Sequence, residues 1–379
     1  MVLNDVLTVS AGRPINIGID RHRITVVDDA AIPGRLQLWF NSALAFPGLI
    51  NSHDHLDFNL FPALGDRVYK SYTEWGQYIH EHYKDEIAQV LKVPVTLREE
   101  WGIIKNLLCG VTTVVNHGEK LQAMHSLINV HERYQFLHSV GFEKKWKIKL
   151  NNPLETKLPV VVHVGEGLTF QDYEEINQLI KWNILRKKLI GIHAVAMTDE
   201  QARKFEAVVW CPESNYFLLN KTAPVNLLKQ HTTILFGSDS TLTGDWNIWN
   251  HIRLAREVQL LTDAGLYLAL NANAAAVWET GNGEIKAGAV ADLVIVKAKD
   301  GKNGLSAFFD TNPEDILMVI QQGNIRLFDE SVYEQLAGTD LSGYYKVKIN
   351  GACKYIQSDV PALMKNIKQY YPGAVFPCI

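Results

Sequence analysis

Phe46-Pro47-Gly48-Leu49-Ile50-Asn51-Ser52-His53-Asp54-His55-Leu56 is an apolar run that closes on two histidines one residue apart. Side chains two apart on an extended strand share a face, so His53 and His55 can offer neutral imidazole nitrogens to one cation. The pair nominates a catalytic metal. With 13 histidines in the chain the spacing also arises by chance, and His80 and His82 repeat it. Their segment, Tyr72 to Leu91, spaces its apolar residues as a helix, where positions two apart diverge by roughly 200°. Those two read as ordinary surface histidines.

Downstream of Gly48, β-rich runs that end in polar residues alternate with helical stretches. The candidate strands are Leu49 to His53, Gly110 to Asn116, Pro159 to His163, Leu189 to His193, Ala207 to Trp210 and Thr232 to Gly237. Such alternation implies a parallel sheet covered by helices, and the length suits a (β/α)₈ barrel. Between Asn116 and Pro159 the chain is short for two further units. Only Tyr134 to Val140 and, weakly, Lys145 to Leu150 present themselves there, so units three and four are expected to be compressed.

Both ends of the chain read as β. Asn16 to Ile19, Ile24 to Val27 and Leu36 to Phe40 are short strands upstream; Gly288 to Val296 and a hairpin, Ile316 to Gln321 turning at Gly323-Asn324 into Leu327, follow downstream. The economical arrangement is one composite β-sandwich from residues 1–47 and 283–350, bracketing a barrel at 48–282. A tail at 351–379 spaces Val360, Leu363, Met364, Ile367 and Tyr370 as a helix.

Of 379 residues, 47% are hydrophobic and 21% charged, ordinary for a globular protein with a large core. The net charge of −4 and the lack of a Lys/Arg block offer no footprint for nucleic acid or an anionic membrane, which leaves a small-molecule substrate. The opening residues show no leader pattern, and no segment is apolar for about 18 residues. Four dispersed cysteines without a C-x-x-C pair point to a reduced, cytoplasmic setting.

Residues at the C-terminal ends of barrel strands face one mouth, so polar groups repeated there speak about chemistry. His53 and His55 close the first strand, His163 and His193 close two later ones, and Asp239 closes the last. Three neutral imidazoles and one carboxylate suit one Zn²⁺, with Fe²⁺ as the alternative, and such a metal lowers the pKa of bound water from 15.7 to about 7. Glu166, between Gly165 and Gly167 just past His163, can approach a substrate and deliver a proton to a leaving nitrogen if burial holds its pKa high.

These pieces resemble the amidohydrolase superfamily, in the branch of guanine, cytosine and S-adenosylhomocysteine deaminases and triazine hydrolases. The matching segments are PGLINSHDHL (47–56), GVTTVVNHG (110–118), HVGE (163–166), IHAVAMTDE (192–200), CPESN (211–215), FGSDS (236–240), NANAAAVWE (271–279) and GEIKAGAVADLVIV (283–296), covering most of the chain in the family's order. The resemblance implies His53, His55 and His163 as metal ligands, and Asp239 as a ligand that also accepts the water's proton. It implies Glu166 as the proton shuttle, His193 as the group polarising the attacked centre or water, and a homodimer.

Two departures bear on this reading. Binuclear relatives use a carboxylated lysine on the fourth strand, and neither Lys147 nor Lys149 sits convincingly at such an end, which favours one metal. Ala194-Val195-Ala196 follows His193 where many relatives carry a second histidine. His117 either lines the mouth or caps a strand, Asp57, Trp246 and Trp249 are candidate pocket walls, and His231 and His251 read as structural. The expected function is hydrolysis of a carbon–nitrogen bond in a heterocycle, deamination ahead of cyclic-amide opening. The rivals are a silent metal-free barrel and a binuclear hydrolase.

Overall fold

The computed structural model describes residues 1–10, 12–123, 126–299 and 301–379. Val2–Thr8 (β1), Ile15–Asp20 (β2), Arg23–Asp28 (β3) and Gln37–Pro47 (β4) open the chain. Eight strands follow: Leu49–Asp54 (β5), Val111–Asn116 (β6), Asn129–His131 (β7), Gln135–Ser139 (β8), Val160–Val164 (β9), Leu189–His193 (β10), Ala207–Trp210 (β11) and Thr233–Phe236 (β12). They form two all-parallel arcs, β5-β6-β7 and β8-β9-β10-β11-β12.

β5, β6, β9 and β10 are buried at every residue, the pattern of a parallel sheet covered on both faces. Alternation sorts their side chains. Ile50, Val115, Val161, Ile192, Val209 and Leu235 share one inner cluster plugged by Ala274, Ala275 and Trp278. Val160, Val162 and Val164 turn outward to pack with Ile176 and Leu179 of the helix Phe170–Trp182. The last strand's end is tied to the first arc, where Asp239 N donates to His53 O (3.0 Å) and Ser238 N to Asn51 Oδ1 (3.0 Å).

The compression lies at β7 and β8. Only Glu132, Arg133 and Tyr134 separate these strands, so no helix stands between them. β7 is three residues long and was not among the expected strands. Trp146–Leu150, weakly expected as a strand, is a short helix.

Leu293–Val296 (β13), Ile316–Gln321 (β14), Asn324–Asp329 (β15), Tyr345–Ile349 (β16) and Ala352–Ile356 (β17) join the N-terminal strands in one nine-stranded sheet, ordered β16-β17-β15-β14-β13-β4-β1-β2-β3. Both chain ends thus meet at β4, which pairs with β1 in parallel and β13 antiparallel. The stretch after residue 351 is not helical from its start: it opens with β17, and the helix Val360–Tyr370 follows. Among the described residues no helix is long and apolar enough to cross a membrane. The four cysteines are free.

Candidate metal and catalytic site

A bulge aims the first histidine. Asn51 pairs with Val114 but Asp54 with Asn116, three residues against two, so strict alternation breaks inside Asn51–Asp54. Ser52 Oγ accepts from Trp278 Nε1 (3.0 Å), while His53 Nε2 stands 3.4 Å from His163 Nε2 and 3.6 Å from Asp239 Oδ1. His55 Nε2 is 3.7 Å from the same carboxylate oxygen. Gly237 makes the approach feasible, since a Cβ there would lie 2.7 Å from the His53 Cβ.

These spacings match a metal's donor shell. Two donors each 2.0–2.1 Å from a tetrahedral Zn²⁺ stand about 3.3 to 3.4 Å apart. The ring nitrogens of His53, His55 and His163, and those of His53 and His193 with an Asp239 oxygen, form two overlapping clusters of convergent ligand atoms. Burial favours the neutral form that a ligand needs at three of these rings: it brings His55 down to about 3 and His193 to about 4, and holds His163 well below the ordinary range. Burial works against the Asp239 carboxylate, but its polar contact with His53 Nε2 (3.6 Å) and the other facing imidazoles outweigh that and hold it well below the usual carboxylate range.

Hydrogen bonds to the opposite ring atoms fix orientation. His163 Nδ1 donates to His138 O (3.1 Å) and His193 Nδ1 to Asn215 Oδ1 (2.9 Å), which leaves each Nε2 lone pair facing the centre. Asp239 accepts from Ser214 Oγ (2.8 Å), Thr243 Oγ1 (3.2 Å) and Ser240 N (2.8 Å). His193 and Asp239 both adopt left-handed backbone, φ 67° and 57°, the strain often concentrated at functional sites.

Glu166 lies beside this centre, its Oε1 3.5 Å from His193 Nε2 and its Oε2 buried without a partner among the described residues. Burial, with the charge of Asp239 adding to it, pushes its carboxyl well above the usual carboxylate range. Burial thus favours the protonated form of a carboxyl that faces the site. His55, His163, Glu166, His193 and Asp239 line one cavity of about 60 Å³ together with Phe58, Tyr72, Trp75, His138, Leu218, Leu242 and Thr243.

The structure thus brings His53, His55, His163, Glu166, His193 and Asp239 together. His117 joins them, fully buried, its ring 4.3 Å from that of His163, with neither nitrogen hydrogen-bonded among the described residues. Three candidate walls are not walls. Asp57 pairs with Arg98 (3.2 Å), Trp249 is buried core with its indole on Cys109 O, and Trp246 packs against the core. Lys147 lies over the Trp182 ring (4.2 Å) and Lys149 pairs with Glu143 (3.0 Å), so neither is a metal bridge. His80 and His82 sit on the helix Tyr72–His82, and His251 bonds Asp245 O (2.7 Å).

Sequence reasoning missed the layer behind the ligands. Asp54, between the two first-strand histidines, accepts from Lys105 Nζ (3.1 Å), Asn106 Nδ2 (2.7 Å), Asn59 Nδ2 (2.8 Å) and Asn51 Nδ2 (3.2 Å). Asn51 Nδ2 also donates to Ser238 Oγ (2.7 Å), so one buried network braces β5 and the loop after β12. It also missed Tyr72, Trp75 and His138. Ser214 and Asn215 lay inside the CPESN segment, where the polar pair after the strand was the available signal.

No family model matches the chain. The 5-methylthioadenosine/S-adenosylhomocysteine deaminase of Caldicellulosiruptor saccharolyticus is 24% identical over 348 residues, 76% of this chain and 81% of that protein. An adenosine deaminase from Xanthomonas campestris, solved with bound zinc, superposes with TM-score 0.73 at 16% identity, covering 98% of this chain and 97% of its own. The zinc complex of an atrazine chlorohydrolase from Arthrobacter aurescens gives 0.72 at 14% identity, covering 98% and 100%. The structural likenesses establish a shared fold.

Proposed function

We propose that this chain, which belongs to the amidohydrolase superfamily, is a metal-dependent hydrolase that deaminates a small heterocyclic substrate. The observation that carries this reading is Glu166, buried 3.5 Å from His193 with its Oε2 unpartnered among the described residues, beside the convergent imidazoles and Asp239. A silent barrel has no use for a buried carboxyl oxygen left without a partner beside convergent ligand atoms. The reading includes closure of the two strand arcs into one barrel, supported by the bonds from Ser238 and Asp239 to β5. It also includes a sandwich built on the composite sheet.

His53, His55, His163 and Asp239 would hold one divalent cation, Zn²⁺ favoured, and the positions of Lys147 and Lys149 support a single ion. Bound there, the cation supplies a nucleophile at neutral pH by lowering the pKa of its water to about 7. Asp239 takes the water's proton, and Ser214 and Thr243 hold the carboxylate in position. His193, held by Asn215 with its Nε2 lone pair toward the centre, polarises the attacking water by accepting its hydrogen bond. Glu166 then protonates the departing nitrogen, a transfer that needs the neutral carboxyl its burial provides.

Elemental analysis and an assay on an amino-heterocycle panel test this reading together. About one zinc per chain, with ammonia released and no new carboxylate, is the expected result. A new carboxylate would replace deamination by cyclic-amide opening. A protein that takes up no metal would remove the hydrolase reading.

A further inference from the structure

The chamber over the ligands is small, and its roof is stitched in place. Pockets for drug-sized ligands measure about 300–1,000 Å³, whereas this one is about 60 Å³. The roof is the segment from Leu64 to Trp75. Tyr72 N donates to Glu166 O (2.9 Å), Leu168 N to Lys70 O (2.9 Å), Tyr69 N to Leu218 O (2.8 Å) and Leu64 N to Leu242 O (3.0 Å). Those main-chain bonds tie it to two loops and to the helix Pro212–Leu219, so the chamber's height is part of the architecture.

The lining carries a second restriction. Phe58, Trp75, Leu218 and Leu242 give it apolar walls, and Trp75 turns its indole N–H away to Leu64 O (2.6 Å). No lysine or arginine is among the lining residues. Lys105 is engaged with Asp54 and Arg98 with Asp57. Apart from the ligands, Glu166, His193 and the hydroxyls of Ser240 and Thr243, the polar lining is Tyr72 Oη and His138 Nε2, 3.4 Å apart on one wall. Tyr72 also lies nearly parallel to the His163 ring, 6.0 Å between centroids.

Resting on the hydrolase reading above, we propose that this chamber selects a flat, uncharged, amino-substituted ring and excludes the same ring carrying a sugar or a charged tail. Tyr72 and His138 read the ring's edge, and Trp75 sets the ceiling. The relative from Caldicellulosiruptor saccharolyticus is named for two adenosine derivatives, so the proposal separates this chain from it in substrate.

The zinc-loaded full chain is assayed for ammonia release on cytosine, guanine and adenine, and on cytidine, guanosine, adenosine and S-adenosylhomocysteine. Calorimetric binding runs in parallel. At least one free ring should exceed its own nucleoside by about 100-fold or more in kcat/KM, toward the upper end of the roughly 10–200-fold that a single methylene discriminates. A nucleoside that matches or beats its base overturns the proposal. If no compound releases ammonia, the deaminase reading fails, and calorimetry still decides this one: a base that binds where its nucleoside does not supports it, and no base binding overturns it. Trp75→Ala should cut the base-to-nucleoside ratio at least tenfold. Tyr72→Phe should raise KM for the ring by about tenfold, the worth of one lost hydrogen bond, and by more than it lowers kcat. Metal content unchanged in Tyr72→Phe separates edge recognition from damage to the ligands, and an unchanged KM refutes it.

Discussion

Replacing Lys105 by Met tests whether the ligand-bearing strand is braced from behind by a buried charge pair. The side chains of Lys105 and Asp54 are 2% and 0% exposed and 3.1 Å apart. An exposed pair would contribute about 0–1 kcal/mol, whereas deleting one partner of a buried pair costs about 3–5 kcal/mol because the other charge stays behind. Methionine retains the apolar stem, so packing changes little. Amides of Asn51, Asn59 and Asn106 still solvate the Asp54 carboxylate, which puts the loss at the lower end, about 3 kcal/mol. Lys105 also donates to Asn59 Oδ1 (3.0 Å), and Thr241 N donates to that same oxygen (3.3 Å), so the loop beyond Asp239 loosens too. Urea unfolding of metal-free protein should show the loss, and metal affinity should fall about 10–100-fold, as when an outer support of a metal ligand is removed. Adding Asp54→Asn to Lys105→Met should recover at least half of the stability. A loss under about 1 kcal/mol, the surface-pair value, would refute the brace.

Glu166→Gln should lower kcat by about 10²–10⁴-fold while metal content stays the same. The protonated acid is the active form, so wild-type kcat falls as pH rises through the elevated Glu166 pKa, and this alkaline limb should vanish in the variant. Glu175, whose Oε1 accepts from Gly165 N (2.7 Å), is pushed by burial up to about 7 from 4.5. A raised folded pKa gives stability that is complete below the unfolded value and lost as pH rises through the folded one. Stability should therefore decline between pH 4.5 and 7 by about 3 kcal/mol, and Glu175→Gln should flatten that decline in urea titrations at stepped pH. Gly237→Ala places a Cβ 2.7 Å from the His53 Cβ and 3.0 Å from Cys211 Sγ. It should cost about 1–3 kcal/mol by overpacking and weaken zinc retention, measured by chelator competition.

What was legible in the sequence is what local patterning dictates. Buried, apolar-rich strands announce themselves, and six were placed within a residue or so of Leu49–Asp54, Val111–Asn116, Val160–Val164, Leu189–His193, Ala207–Trp210 and Thr233–Phe236. The terminal histidines and Asp239, read one strand at a time, are the residues whose ligand atoms converge in the structure. What was illegible is set by contacts between segments far apart in sequence. Asn129–His131 is too short to carry a period, and only its pairing with β6 makes it a strand. Lys145 to Leu150 offers apolar residues at Trp146, Ile148 and Leu150, an alternation that reads as a strand, yet Trp146 and Leu150 are buried at helical spacing while Ile148 is 74% exposed. Asp54 looked like a spacer between two ligands, because nothing near it in sequence reveals that Lys105 arrives from a helix 51 residues on. Tyr72 and Trp75 lie on the helix that carries the misleading His80 and His82, and tertiary bonds to Glu166 and Leu64 alone turn its first residues into the roof. The convergent histidines and Asp239 are thus a property of strand ends, readable one strand at a time. The chamber that chooses the substrate is a property of how distant loops are tied together, and its test is the ratio of base to nucleoside.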